Sequence, residues 1–188
     1  GARVWTVVRS TTAAESDSGT PVVADERGVA RVTPPTVTND RPVALTFVAE
    51  APDGRIGGLN FVANRRLDSP RDPNIIKLLP VRRRSGTLRD PEGKPLADAE
   101  ILPIGSQDEA AARSPSQRPS LPIPPSQRSR LATRSDAQGR FTLPPMPSDQ
   151  RVLFEARVAG RGRARFVAEG ADEFRLTFPS LETLTIQI

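Results

Sequence analysis

Few side chains in this sequence could carry out chemistry. Histidine, cysteine and tyrosine are absent from its 188 residues. Their absence removes the usual zinc and copper ligand sets and the Ser-His and Cys-His relays of nucleophilic enzymes. What remains is lysine, present only as Lys77 and Lys94, and acidic residues on or beside predicted strands that could form a carboxylate pair: Glu50, Asp53, Glu100 and Glu155. No glycosidase-like pattern relates these acids, so the sequence predicts a non-enzymatic protein.

Three aspartates stand three residues before a glycine: Asp25, Asp90 and Asp136. Oxygen ligands on a tight turn suit calcium, but each segment offers only one or two carboxylates, against about six to eight oxygens for that ion. An aspartate whose side chain caps its own turn is the favoured interpretation. The sequence therefore predicts no metal and no cofactor.

The weak candidates for binding are Trp5 and the cluster Arg82, Arg83 and Arg84. Trp5 is the only tryptophan, and an exposed Trp5 near Phe47 or Phe61 would offer a sugar an aromatic platform. The arginines could contact phosphate or an anionic surface. The favoured interpretation of the cluster is a solvated hinge between domains. Nucleic acid is not favoured, because no aromatic residues are interleaved with the basic ones.

The elements that must position these residues are predicted to be strands. Twenty prolines and thirteen glycines indicate many turns, and aromatic residues make up only 4%, so the cores are aliphatic. Val43–Glu50 is the clearest strand, and Ser85–Arg89 is another. No apolar run reaches the length of about 18 residues that a membrane span requires. The net charge of +5 comes almost entirely from arginine.

Two segments of the chain resemble each other at an offset of about 110 residues. Each has an aspartate, a glycine three residues later, an alternating strand and a Pro-Pro pair, which predicts a hairpin in both places and two copies of one domain. The predicted modules are 1–81 and 82–188, the second with a flexible insertion at 105–130. Within that insertion, Leu121–Pro125 has polyproline II character, which is typical of a docking peptide or of a mobile loop.

The second module resembles the carboxypeptidase regulatory-like family. Its residues Asp90-Pro91-Glu92-Gly93-Lys94-Pro95-Leu96 are similar to the family's opening turn, and Asp136-Ala137-Gln138-Gly139-Arg140-Phe141 is similar to its second signature. The resemblance covers about residues 84–188. The first module keeps the Asp25 turn but lacks the opening strand and its Gly-Lys-Pro turn.

The resemblance implies an all-β fold of two tandem antiparallel β-sandwiches of the transthyretin-like (prealbumin-like), Greek-key type. It further implies a non-catalytic structural or protein-interaction module of a larger secreted or cell-envelope bacterial protein, outside the cytoplasm. The expected partners are other domains of the parent polypeptide or another envelope protein. A carbohydrate-binding module that uses exposed aromatic residues, with polysaccharide as partner, is the alternative.

Overall fold

The computed structural model describes residues 1–9, 16–33, 43–63, 74–108, 121–169 and 172–180. Within these residues the chain is mostly β-sheet with a single helix of one turn, so the all-β prediction is confirmed. The elements are β1 (Arg3–Arg9), β2 (Ser16–Asp17), β3 (Val22–Val23), β4 (Val43–Glu50), β5 (Ile56–Ala63), β6 (Val81–Arg82), β7 (Ser85–Arg89), β8 (Glu100–Asp108), β9 (Leu121–Pro122), α1 (Pro125–Arg128), β10 (Thr133–Arg134), β11 (Arg140–Thr142), β12 (Met146–Pro147), β13 (Gln150–Val158), β14 (Gly162–Ala168) and β15 (Glu173–Thr177). None of the described helical structure is long and apolar enough to cross a bilayer.

Two sheets with the same strand arrangement dominate the structure. The first has the order β2-β1-β4-β5, with β3 also on β1, and the second has the order β10-β8-β13-β14, with β9 also on β8. The registers match as well, because equivalent residues lie opposite each other: Val23, Arg3 and Glu50 in the first sheet, and Arg134, Glu100 and Arg157 in the second. The repeat found in the sequence therefore corresponds to a repeated arrangement of strands.

The repeated aspartates form the side-chain-capped turns that the sequence predicts. Asp25 Oδ1 accepts hydrogen bonds from the backbone N–H groups two and four residues later, both at 2.9 Å. Asp136 Oδ1 does the same at 2.9 and 2.8 Å. Gly28 and Gly139 lie at φ of 78° and 73°, where a side chain would be strained. Asp90 Oδ1 likewise accepts from the N–H of Lys94 at 2.8 Å. These oxygens stabilise the turns through amide contacts.

A three-stranded sheet, β11-β7-β15, covers one face of the second five-stranded sheet. Between the two sheets lies the largest apolar core, to which Leu88 and Phe141 contribute from one side and Ile101, Val152 and Phe154 from the other. The rings of Phe141 and Phe154 meet edge to face, with centroids 5.7 Å apart. Two sheets packed face to face are the arrangement expected of a β-sandwich.

The first half differs at the corresponding position. Residues 29–32 carry the alternating pattern that predicts the second strand of a hairpin after the Asp25 turn, but they form no strand, and Val29 is 50% exposed. Their counterparts Arg140–Thr142 form β11 because β7 pairs with them. Among the described residues of the first half, no strand takes the place of β7, so the backbone at 29–32 lacks the partner that an extended strand requires.

The predicted flexible insertion at 105–130 is corrected at both ends. Residues 105–108 belong to β8, and residues 121–131, which we call the arm, are packed against the rest of the protein. Leu121 and Ile123 are 5% and 6% exposed, because apolar partners cover them. Residues 109–120 of the predicted insertion lie outside the described residues, as do residues 181–188.

Candidate functional site at the junction of the two sheets

Trp5 lies in the middle of β1 and is buried, with only 3% of its surface exposed. It faces Val48 across the strand pair, and the Arg3 guanidinium lies 5.5 Å from the centroid of its ring. Phe47 on the neighbouring strand is half-buried, and the side chain of Phe61 lies outside the described part of the chain. A buried ring cannot stack on a sugar, so Trp5 does not provide the platform that the carbohydrate-binding alternative requires.

The three arginines do not form one solvent-facing cluster. Arg82 lies in β6 opposite Met146 and donates to Asp172 at 2.8 Å, whereas Arg83 is exposed. Arg84 is only 1% exposed, and its Nη2 donates to three backbone carbonyls, those of residues 147, 148 and 150, at 3.3, 3.1 and 2.7 Å. The interpretation of this segment as a solvated hinge is therefore wrong at Arg84, because the segment between the two halves is packed against the second half.

The arm reaches back from the second half to the first sheet. Leu121 forms an apolar cluster with Val7, Val48 and Ile56 on one face of that sheet, which we call the arm face. Gly58 leaves room for the contact, since a Cβ there would lie 2.4 Å from Leu121 Cδ1. The segment Leu121–Pro125, which has polyproline II character in the sequence, therefore packs against the first sheet of the same chain. The sequence signal was the pair Leu121 and Ile123 in an otherwise polar segment.

A polar contact adds to the docking of the arm. The backbone N–H of Ser126, in α1, donates to Asp17 Oδ2 at 2.7 Å, which links the arm to β2 of the first sheet. Charge-assisted hydrogen bonds of this length are stronger than bonds between neutral groups. The junction is therefore held by an apolar contact and by a directional one.

Between the arm face and the arm lies a cavity of about 290 Å³. Trp5, Val48 and Ile56 line it from the first sheet, and Val81 lines it from the connecting segment. On the other side it is closed by apolar residues of the second half: Leu121, Ile123, Leu131 and Met146. Four prolines complete the wall: Pro122, Pro124, Pro144 and Pro145. The cavity is therefore apolar except where charged residues reach it.

Charged residues of the cavity wall include two carboxylates that are paired with arginines. Glu50 accepts from Arg3 at 2.9 Å, and Asp53 accepts from Arg55 at 2.8 Å. The pKa of Asp53 is lowered mainly by the hydrogen bond from the backbone N–H of Arg55, and the Arg55 guanidinium lowers it further. This carboxylate therefore stays ionised at a lower pH than an ordinary aspartate does. Arg130 also lines the cavity and has no acidic partner among the described residues.

The indole N–H of Trp5 is buried and has no hydrogen-bond acceptor within the described part of the chain. Leaving a buried donor unpaired costs about 1–3 kcal/mol, so such groups call for an explanation. Trp5 therefore contributes its apolar ring to the cavity wall, while its N–H is enclosed by the protein.

The acidic residues proposed as a carboxylate pair are each bound to arginine. Glu155 contacts Arg157 at 2.8 Å and Arg165 at 3.8 Å, and Arg157 also contacts Glu100 at 3.5 Å. The hydrogen bond to Glu155 is the main reason that the pKa of Arg157 is raised. In the described ranges, no group of three or more acidic residues is placed to hold a metal ion.

Comparison of the chain with protein-family models, with curated proteins and with solved structures finds no match.

Proposed function

We propose that the chain is a non-catalytic structural unit that holds its neighbours at a fixed spacing within a larger secreted or cell-envelope protein. In this proposal the two matching sheets belong to two tandem transthyretin-like β-sandwich modules of the carboxypeptidase regulatory-like type, 1–81 and 82–188. The partners are other domains of the parent polypeptide or another envelope protein. The support comes from the repeated turns and registers and from the resemblance of the second half to that family.

The observation that carries the spacing role is the packed connection at Arg84. A hinge would leave this arginine in water, whereas here it is buried and bonded to three carbonyls of the second half. Only two residues separate β6 from β7, and β6 itself pairs with β12 of the second half. A connection with so little free chain transmits orientation from one half to the other.

Residual dipolar couplings measured by NMR test this role on the whole chain. We expect the two halves to share one alignment tensor, because the Arg84 connection and the arm fix their orientation. In Arg84→Met we expect the tensors to diverge and the protein to lose about 3 kcal/mol of stability, since three hydrogen bonds from a charged donor are lost. The control is Arg83→Met, which changes an exposed residue. Different tensors for the two halves of the unsubstituted protein would overturn the proposal.

A further inference from the structure

The junction cavity has the size and lining of a small-molecule site. Its 290 Å³ equal about ten volumes of about 30 Å³, the share of one water molecule in the liquid, and a methylene group is of similar size. Ligand sites are typically concave and apolar, with a few polar groups that fix orientation. The wall meets this description, because Trp5, Val48, Ile56, Ile123 and Met146 supply its apolar surface.

The charges at the cavity select an anion over a cation. Glu50 and Asp53 are already paired with arginines, so their charges are largely balanced. Arg130 has no acidic partner among the residues that the structure describes, and it is exposed, so it keeps its hydration and its reach. A ligand whose head carries a carboxylate would meet a guanidinium there, and the resulting ion pair would favour an anionic head over a neutral one.

From these features we infer that the cavity binds a small amphiphilic anion, an acyl chain of about ten carbons that ends in a carboxylate. The chain occupies the apolar space between the arm face and the arm, and the carboxylate pairs with Arg130. The inference does not depend on the proposed spacing role.

The chain supplies two single-copy reporters of occupancy. Trp5 is the only tryptophan and Met146 the only methionine, and they line the cavity from different halves of the protein. The test is a titration of the whole chain with decanoate below its aggregation concentration, followed by Trp5 emission and by the ¹³C-methyl signal of Met146. We expect both signals to change with one saturable curve, because one ligand touches both walls.

Decanol serves as the probe that lacks the anionic head. We expect it to bind about threefold more weakly than decanoate, because the ion pair with exposed Arg130 is screened by water. In Arg130→Gln, decanoate should lose that threefold advantage while decanol binding stays unchanged. Arg134→Gln is the matched control, because Arg134 is exposed, pairs with Asp98 at 2.8 Å and does not line the cavity. It should bind both probes as the unsubstituted protein does.

Three results would overturn the inference. The first is a decanoate titration that does not saturate. The second is a change at only one of the two reporters, which would place the ligand outside the space that they share. The third is an equal effect of Arg130→Gln and Arg134→Gln, which would mean that the head binds by overall positive charge. None of these results bears on the alignment of the two halves, so the two proposals fail separately.

Discussion

The corresponding faces of the two five-stranded sheets differ in chemistry: one is apolar and packs against the arm, and the other carries ion pairs. Equivalent rows of residues cross them: Trp5, Val48 and Gly58 in the first sheet, and Leu102, Glu155 and Arg165 in the second. The first row is apolar and ends in a residue without a side chain, whereas the second contains an ion pair. The backbone arrangement is shared, so the side chains decide which face accepts a partner.

On the face of the second sheet, the arginine side chains reach solvent. Arg157 and Arg165 are 50% and 75% exposed, and both contact the shielded carboxylate of Glu155. On the arm face, Val48 is 5% exposed because Leu121 covers it. A sheet can therefore be repeated in a chain without repeating its contacts, provided that one row changes from charged to apolar.

The largest effect is expected when Val48 on the arm face is replaced by glutamate, the residue found at the equivalent position, Glu155, of the second sheet. In Val48→Glu, a carboxylate would be buried against Leu121, and the nearest guanidinium, that of Arg3, is already paired with Glu50, so we expect a loss of about 3–5 kcal/mol. Urea unfolding gives the magnitude, and a red shift of Trp5 emission would show that the arm has left the sheet.

The reciprocal change, Glu155→Val, is the control for position. It removes an acid whose arginines are exposed and can be hydrated, so we expect a change within about 1 kcal/mol. Equal losses in the two variants would contradict the assignment of the arm face as an apolar docking surface.

A smaller effect is expected when the arm itself is shortened. Leu121→Ala removes the side chain that contacts Val7 and Val48, and we expect a loss of about 2–3 kcal/mol together with faster proteolysis within residues 121–131. Ile75→Ala is the control: this side chain is 82% exposed, so its truncation should cost no more than about 0.5 kcal/mol. A Leu121→Ala protein as stable and as resistant as this control would show that the arm is not held by its apolar contact.

The features that the sequence predicts best are those decided within a few residues. Asp25 and Asp136 cap turns with their own neighbouring amides, so the Asp-x-x-Gly pattern is sufficient to find them. Val43–Glu50 forms a strand with the predicted bounds because its composition is β-rich throughout. These features can be predicted because the residues that determine them are neighbours in the sequence.

The junction could not be predicted because its causes are distant in the chain. Leu121 lies in a segment rich in serine and proline, and its burial depends on Val48 and Gly58, far away in sequence. Three adjacent arginines are typical of a solvated segment, and the carbonyls that bury Arg84 come from residues 147–150. The lack of a strand at 29–32 likewise reflects a pairing partner, which no local pattern specifies.

The smallest difference in stability is expected for two equivalent ion pairs at the hairpin turns, one between β4 and β5 and the other between β13 and β14. In the second, Arg161 donates to Asp90 at 3.2 Å, and that carboxylate is only 4% exposed, so Arg161→Gln should cost about 1–2 kcal/mol. In the first, Arg55 pairs with Asp53 in water, so Arg55→Gln should cause no resolvable change in urea unfolding.

The readout that Arg55→Gln should change is the pKa of Asp53, followed by ¹³C NMR. The lowered pKa should rise only part of the way to the usual value, because the backbone N–H of residue 55, its largest cause, is retained. A depressed carboxyl pKa gives stability that is present above the unfolded-state value and is lost as the pH falls through the folded-state value. The substitution should therefore move the Asp53 titration to higher pH, with an effect on unfolding too small to resolve because the carboxylate is exposed. An unchanged Asp53 titration would show that the Arg55 guanidinium does not act on this carboxylate, and a larger stability loss in Arg55→Gln than in Arg161→Gln would reverse the expected order of the two turns.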